Sequence, residues 1–234
     1  MSLSPGYGET PVPGDELLAL LPQARDLLGE PVTKAAVYDL EQGIQAHTAE
    51  ELLIAVMDGV GAISATGTFQ LDDSFVLNGV VGVQDLLTDH FLRALHNRLY
   101  DEVWTWAGVY RTVEMNVGVA PQQIAIELRA TMDNLLFRWQ ETDDWTPREL
   151  GIAAHAEGVR IHPFTDGNGR TTRLLADLVF AAAQDPEALG IADPLFQYDW
   201  DVDKARYIQL LREYDRHRDP RELAAFVPLI ALGG

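Results

Sequence analysis

The sequence contains no cysteine, which excludes disulfides, thiolate nucleophiles and zinc–thiolate sites. It has only two lysines, Lys34 and Lys204, against fifteen arginines, so an arginine is informative here by its position and not by its abundance. Positive charge is scarce overall. Seventeen basic against 36 acidic residues give a net charge of −19, a field that repels nucleic acid and anionic membranes and argues against either as a general partner. No apolar run reaches the ~18 residues that cross a bilayer, and Met1–Glu9 lacks the basic and apolar regions of a secretory leader. The expectation is a cytoplasmic protein, which the missing cysteines fit.

What is present is an ordinary globular balance, 47% hydrophobic and 23% charged over 234 residues, enough chain for one domain with an extension. Residues 1–14 are rich in Pro, Gly and Ser and read as a flexible lead. Residues 15–82 read as an N-terminal helical extension. Helical spacing runs over Asp15–Leu28 with Pro22 inside it, and Thr33–Gln45 is a second helix. Thr48-Ala-Glu-Glu51 resembles a capping box for a third helix ending near Met57. Gly59–Val83 reads as irregular with short extended pieces, Asp72-Asp-Ser marking a turn.

The core is expected over residues 83–215, followed by 216–234 as a C-terminal helix packed on it. One helix is predicted over Val83–Val103, another over Pro121–Trp139, and Arg111–Val119 alternates as a hairpin would. Thr146-Pro147-Arg-Glu149 combines a capping Thr, an N1 Pro and an N3 Glu, and starts a helix that reaches about Arg160. A further helix opens at Asn168-Gly169, and Val202–Tyr214 and Pro220–Ile230 complete a mainly α chain.

Between two of these helices lies His162-Pro-Phe-Thr-Asp166-Gly167-Asn168-Gly169-Arg170-Thr-Thr-Arg173. Glycines and Asn tolerate positive φ, so the amides of 167–169 can converge on an anion. A helix start adds free N–H groups and the positive dipole end. Arg170 and Arg173, three apart, share one face of the first turn. Cations there oppose the dipole, a misfit that an anionic ligand removes. Asp166 beside a phosphate site suits a Mg²⁺ ion held partly by phosphate oxygens. His162 has the residue type of a general base at neutral pH. Taken singly, each has a plainer role: His162 a helix cap, Gly-Asn-Gly a turn, Asp166 a cap, Arg170 a surface residue, Phe164 a core anchor. Their coincidence within twelve residues favours chemistry.

This segment resembles the Fic-domain motif at every defining position. Leu95-His-Asn-Arg-Leu99, Trp104-Thr-Trp106-Ala-Gly108 and Arg111-Thr112 extend the resemblance upstream. It implies a Fic-type helical bundle with a small β-hairpin flap beside the active-site loop. It further implies a protein adenylyltransferase, in which His162 deprotonates a Ser, Thr or Tyr hydroxyl of a target protein that attacks the α-phosphate of ATP, releasing pyrophosphate. Asp166 would hold Mg²⁺. Gly167, Asn168 and Gly169 would cradle the phosphates, and Arg170 and Arg173 would neutralise them. The flap, Thr112, Val113, Glu114, Met115, Asn116 and Val117, would align the target by strand addition. The intact Gly169-Arg170 pair argues against the family's kinase variant. A module that binds nucleotide with little transfer, transfer of another phosphate-linked group, and AMP removal are the alternatives.

Fic enzymes are commonly restrained by a helix bearing Ser/Thr-x-x-x-Glu-Gly/Asn. Here Glu157-Gly158 has Ala153 at the hydroxyl position and lies in the core helix, and no other Glu precedes Gly or Asn. The expectation is therefore a separate antitoxin-like inhibitor, with a degenerate inhibitory helix within residues 15–65 as the runner-up.

Overall fold

The computed structural model describes residues 12, 14–61, 70–71, 77–78, 81–184 and 195–232. The Pro/Gly-rich lead, apart from residues 12 and 14, the Asp72–Ser74 turn and the loop holding Pro186 and Pro194 lie outside the described residues.

The chain is mainly helical, as its periodicity predicts. Helices α1 (Gly14–Ala19) and α2 (Pro22–Leu28) are separated at Pro22, which takes the first helical position of α2. Helix α3 (Lys34–Gly61) is continuous over 28 residues where two helices are predicted. The Thr48 pattern does not start a helix, because nothing in Gln45-Ala-His47 breaks the preceding one and Thr48 is itself buried in the packed face. Two two-residue strands, β1 (Gln70–Leu71) and β2 (Leu77–Asn78), pair antiparallel in the segment read as irregular with extended pieces.

The helix predicted over Val83–Val103 is divided into α4 (Val83–Leu86) and α5 (Asp89–Tyr100). Thr88 accepts the Phe91 N–H at 2.9 Å, and this N-cap with Asp89 in the first turn restarts the helix. A short 3₁₀ turn (Pro121–Gln123) leads into α6 (Ile124–Glu141). Helix α7 (Pro147–Ile161) starts as predicted, with Thr146 accepting from the Glu149 N–H and the Glu149 carboxylate accepting from Thr146 N–H at 2.7 Å.

Helix α8 (Asn168–Ala183) is the centre of the bundle and is buried along most of its length. It packs on α7, α3, α5 and α4. The main core gathers Leu92, Leu95 and Leu99 of α5, Leu150 and Ala154 of α7, and Leu175 of α8. A smaller cluster lies on the far side of α7 and α8. It is closed by β3 (Phe196–Tyr198), α9 (Lys204–His217), α10 (Arg221–Phe226) and β4 (Leu229–Ala231). The ending is not wholly helical. Pro228 disfavours helical geometry at Val227, α10 stops, and β4 pairs antiparallel with β3, Gln197 opposite Ile230.

The extension is fastened to the core through its backbone. Leu20 bridges Trp104, Leu21 N–H donates to Val103 O at 2.9 Å and Thr105 N–H to Ala19 O at 2.9 Å. Helix α3 then crosses α5 and α8 and reaches the start of α8.

Helices α7 and α8 approach closely because Gly151 faces α8. A Cβ at Gly151 would stand 2.8 Å from the Ala176 carbonyl oxygen and 2.4 Å from the Tyr198 hydroxyl. Gly151→Ala is therefore expected to destabilise the chain by roughly 1–3 kcal/mol, the usual cost of overpacking. Urea unfolding measures it, and an unchanged midpoint would contradict this close approach.

Candidate active site

The predicted loop forms the turn between α7 and α8. His162 caps α7 in the left-handed region, φ 53° and ψ 61°, a conformation in which a non-glycine residue is strained. The surroundings hold it there. The His162 N–H donates to Gly158 O at 3.0 Å, and its carbonyl accepts from Arg111 Nε at 2.7 Å. Burial lowers the His162 pKa below its ordinary 6.5, and the Arg111 charge lowers it further, while the Val159 carbonyl and Asp166 act the other way. The imidazole is half-buried and held toward its neutral form.

Phe164 is fully buried and anchors the loop. Asn168 closes it on itself, its Oδ1 accepting the Phe164 N–H at 2.9 Å and its Nδ2 donating to Phe164 O at 2.8 Å. Gly167 has φ 74°, and a Cβ there would strike the Tyr100 ring at about 2.5 Å, so only glycine fits. Gly169 differs. It is already helical and a Cβ would meet nothing within 4 Å. The fold places no demand for glycine at 169, and the free space lies at the helix start.

The α8 ladder begins with Thr171 N–H to Gly167 O. The amides of Asn168, Gly169 and Arg170 precede it and are free of intrahelical partners. The Gly167 N–H is taken by the Asp166 carboxylate at 2.7 Å. That carboxylate is 71% exposed, with its second oxygen 3.9 Å from Arg170 Nη2. Among the described residues no cluster of three His, Asp or Glu side chains forms a metal cage. One exposed carboxylate fits Mg²⁺ only as a shared ion whose remaining ligands are phosphate oxygens and water.

Arg170 and Arg173 lie on one side of the first turn as predicted. Arg173 Nε donates to Gly169 O at 3.2 Å. Arg170 is engaged differently from expectation. Its guanidinium pairs with the buried Glu41 of α3 and lies 5.2 Å from the Tyr100 ring centroid. Glu41 also accepts from Trp104 Nε1 at 2.5 Å.

The segment 112–117 is exposed beside His162, but it is not a hairpin. No ladder forms over 111–119, and the Val113 and Val119 carbonyls turn inward to one cation. Arg111 is 4% exposed. It donates to Val113 O at 3.0 Å and to Val119 O as well as to His162 O. Both roots of the segment are tied to the loop. Tyr110 bridges Phe164, Arg111 N–H donates to Pro163 O, and Val119 N–H donates to Ile161 O. Arg111, Glu41 and His96 are the residues that sequence reasoning left without a role. A single Arg, Glu or His on an amphipathic element carries no local signal of what it meets across the fold.

Three cavities surround the loop. One of about 570 Å³ opens at His162 between the 112–119 segment and α9, lined by Val117, Gly118, Val119, Ile208, Leu211 and Asp215. A second of about 560 Å³ meets Asp166 and Arg170 against Glu41 and the two tryptophans Trp104 and Trp106. A third of about 440 Å³ lies between α3 and α8 at Gln42, Gln45, Arg170 and Arg173.

Residues 86–180 match the Fic/DOC family. Over 87 residues the chain is 38% identical to a protein of Caenorhabditis briggsae named protein adenylyltransferase fic-1, and 36% identical to protein adenylyltransferase Fic of Nematostella vectensis. Each match covers 36% of this chain, but only 17% and 20% of those relatives' own length. Among solved structures, the N-terminal Fic domain of a cell filamentation protein (a VirB-translocated Bep effector) from Bartonella quintana aligns at TM-score 0.53. It is 17% identical and covers 83% of this chain and 81% of that one. The same domain with bound ADP aligns at TM-score 0.55 and 16% identity, covering 86% and 88%. The loop His162–Arg173 lies inside the region that matches the Fic/DOC family.

Proposed function

We propose that the chain is a protein adenylyltransferase that moves AMP from ATP to a Ser, Thr or Tyr hydroxyl of a target protein and releases pyrophosphate. The observation that carries this reading is the juxtaposition of a half-buried His162, held toward its neutral form, with the open first turn of α8 bearing Arg170 and Arg173. It is supported by the names of the relatives matched over this segment and by the ADP bound to the Bartonella quintana domain.

In this reading the free amides at the start of α8 take phosphate oxygens, and Arg170 and Arg173 add charge-assisted hydrogen bonds. Asp166 is the protein ligand for Mg²⁺, which supplies charge neutralisation across the phosphates when bound. The cavity between the 112–119 segment and α9 takes the nucleoside, placing it beside His162. The exposed Thr112–Val117 segment receives the target, its backbone apart from the Val113 carbonyl being available for strand addition. His162 accepts the hydroxyl proton as the target oxygen bonds to the α-phosphorus, and the pyrophosphate oxygen leaves with the bond electrons.

The restraint is proposed to come from the chain itself. Glu41 of α3 occupies Arg170, so the cation that would grip phosphate is already neutralised. This favours the runner-up, a degenerate inhibitory helix, over a separate antitoxin-like protein. Glu41 departs from the Ser/Thr-x-x-x-Glu-Gly/Asn pattern, because the glycine follows at 43 and the hydroxyl position holds Val37.

Label from α-labelled ATP is expected to reach lysate proteins, and His162→Ala should reduce transfer by roughly 10²–10⁴-fold, the share of a general base, while ATP still binds. Undiminished transfer in that variant would remove His162 from its role. The protonated imidazole cannot act as a base and its pKa lies below 6.5. The kcat/KM profile should therefore keep its plateau at neutral pH and fall on an acid limb centred below 6.5. A midpoint above 6.5 would contradict the assignment. Glu41→Gln keeps an acceptor for Trp104 and removes the negative charge that neutralises Arg170. It should tighten ATP binding by about tenfold, the equivalent of about 1.4 kcal/mol, with faster transfer. Calorimetry showing unchanged affinity would argue against restraint by α3.

A further inference from the structure

His96 on α5 is fully buried and touches no solvent. Its ring lies flat on Phe164, centroids 3.7 Å apart and planes 13° apart. Its two nitrogens face main-chain groups from two different segments. The Gly108 N–H donates to Nδ1 at 2.8 Å, and Nε2 lies 3.1 Å from the Asp166 carbonyl oxygen. A backbone N–H only donates, so Nδ1 carries no proton. A carbonyl only accepts, so Nε2 carries one. The two bonds together select a single tautomer of the neutral ring. Burial agrees, lowering the His96 pKa to about 4.

The Asp166–Gly167 peptide is trans, the cis bond of the described residues being Glu30–Pro31. In a trans peptide the C=O and the following N–H point in opposite directions. With the Asp166 carbonyl drawn inward to His96, the Gly167 N–H faces outward. It meets the exposed Asp166 carboxylate there, next to the free amides of α8. Were that peptide to turn over, a carbonyl oxygen would face any anion at the helix start, repelling it instead of donating to it.

We infer that His96 is a positioning residue of the phosphate site. Its Nε2–H locks the Asp166–Gly167 peptide with the amide outward, and Nδ1 ties that peptide to the Trp104–Gly108 turn from which the 112–117 segment departs. This rests on the reading of the α8 start as a phosphate site. It assigns His96 no contact with substrate.

Two substitutions separate the two bonds. H96Q can place an amide donor near the Nε2 position and keep the Asp166 bond. H96N offers an acceptor near the Nδ1 position and keeps only the Gly108 bond. Both lose the stack on Phe164, so both should lower the melting temperature. Calorimetry with ADP and with ATP should then show H96N binding about tenfold more weakly than H96Q, on the order of one hydrogen bond. Equal affinities for the two variants, with the wild-type chain binding normally, would overturn the role of His96 alone. A wild-type chain that binds neither nucleotide would overturn the phosphate reading beneath it. A second measurement needs no variant. Long-range ¹H–¹⁵N correlation of the His96 imidazole should place the proton on Nε2, and a proton on Nδ1 would overturn the proposal even if both variants fail to fold.

Discussion

The site depends on how one buried cation is satisfied. Arg111 has three carbonyl partners, from His162, Val113 and Val119, and these bonds join the active-site loop to the segment that overhangs it. A buried guanidinium without such partners would be costly, and each orphaned carbonyl would add its own desolvation penalty. The same bonds hold His162 in its left-handed conformation, and the Arg111 charge helps to keep the imidazole neutral. Arg111 therefore bears on both the geometry and the protonation state of His162, in the latter second to burial.

The chain carries a large negative excess, yet the cations that matter are gathered within a few residues of the α8 start. Arg170 and Arg173 lie where the helix dipole disfavours positive charge. The structure offsets the conflict at Arg170 with Glu41, at a cost, since Glu41 is buried and brings its own desolvation. An anion at the helix start would relieve the same conflict. In the proposed function Glu41 and an anionic ligand compete for this one cation, and α3 would decide between them.

The loop itself was legible because its chemistry is local. Phe164 as anchor, Gly167 at positive φ, Asn168 as the loop's own tie and the Thr146 cap of α7 all act within a few residues of their own position. Gly169 was expected to help form the turn, whereas it is helical and leaves room. The features that were not legible depend on distant partners. The 111–119 alternation predicts a hairpin, whereas the Val113 and Val119 carbonyls serve Arg111. The Thr48 pattern predicts a cap, but packing on α5 and α8 carries α3 through it. The role of Glu41 required knowing that α3 reaches α8, 129 residues further along the chain. His96 required knowing that one imidazole would meet both Gly108 and Asp166.

The central claim is that the α8 start grips a nucleoside triphosphate so that a hydroxyl activated by His162 attacks the α-phosphorus. Mass spectrometry of proteins incubated with the chain, ATP and Mg²⁺ tests it most directly. The account predicts peptides in which a Ser, Thr or Tyr gains AMP. A gain of phosphate alone on those hydroxyls would contradict it.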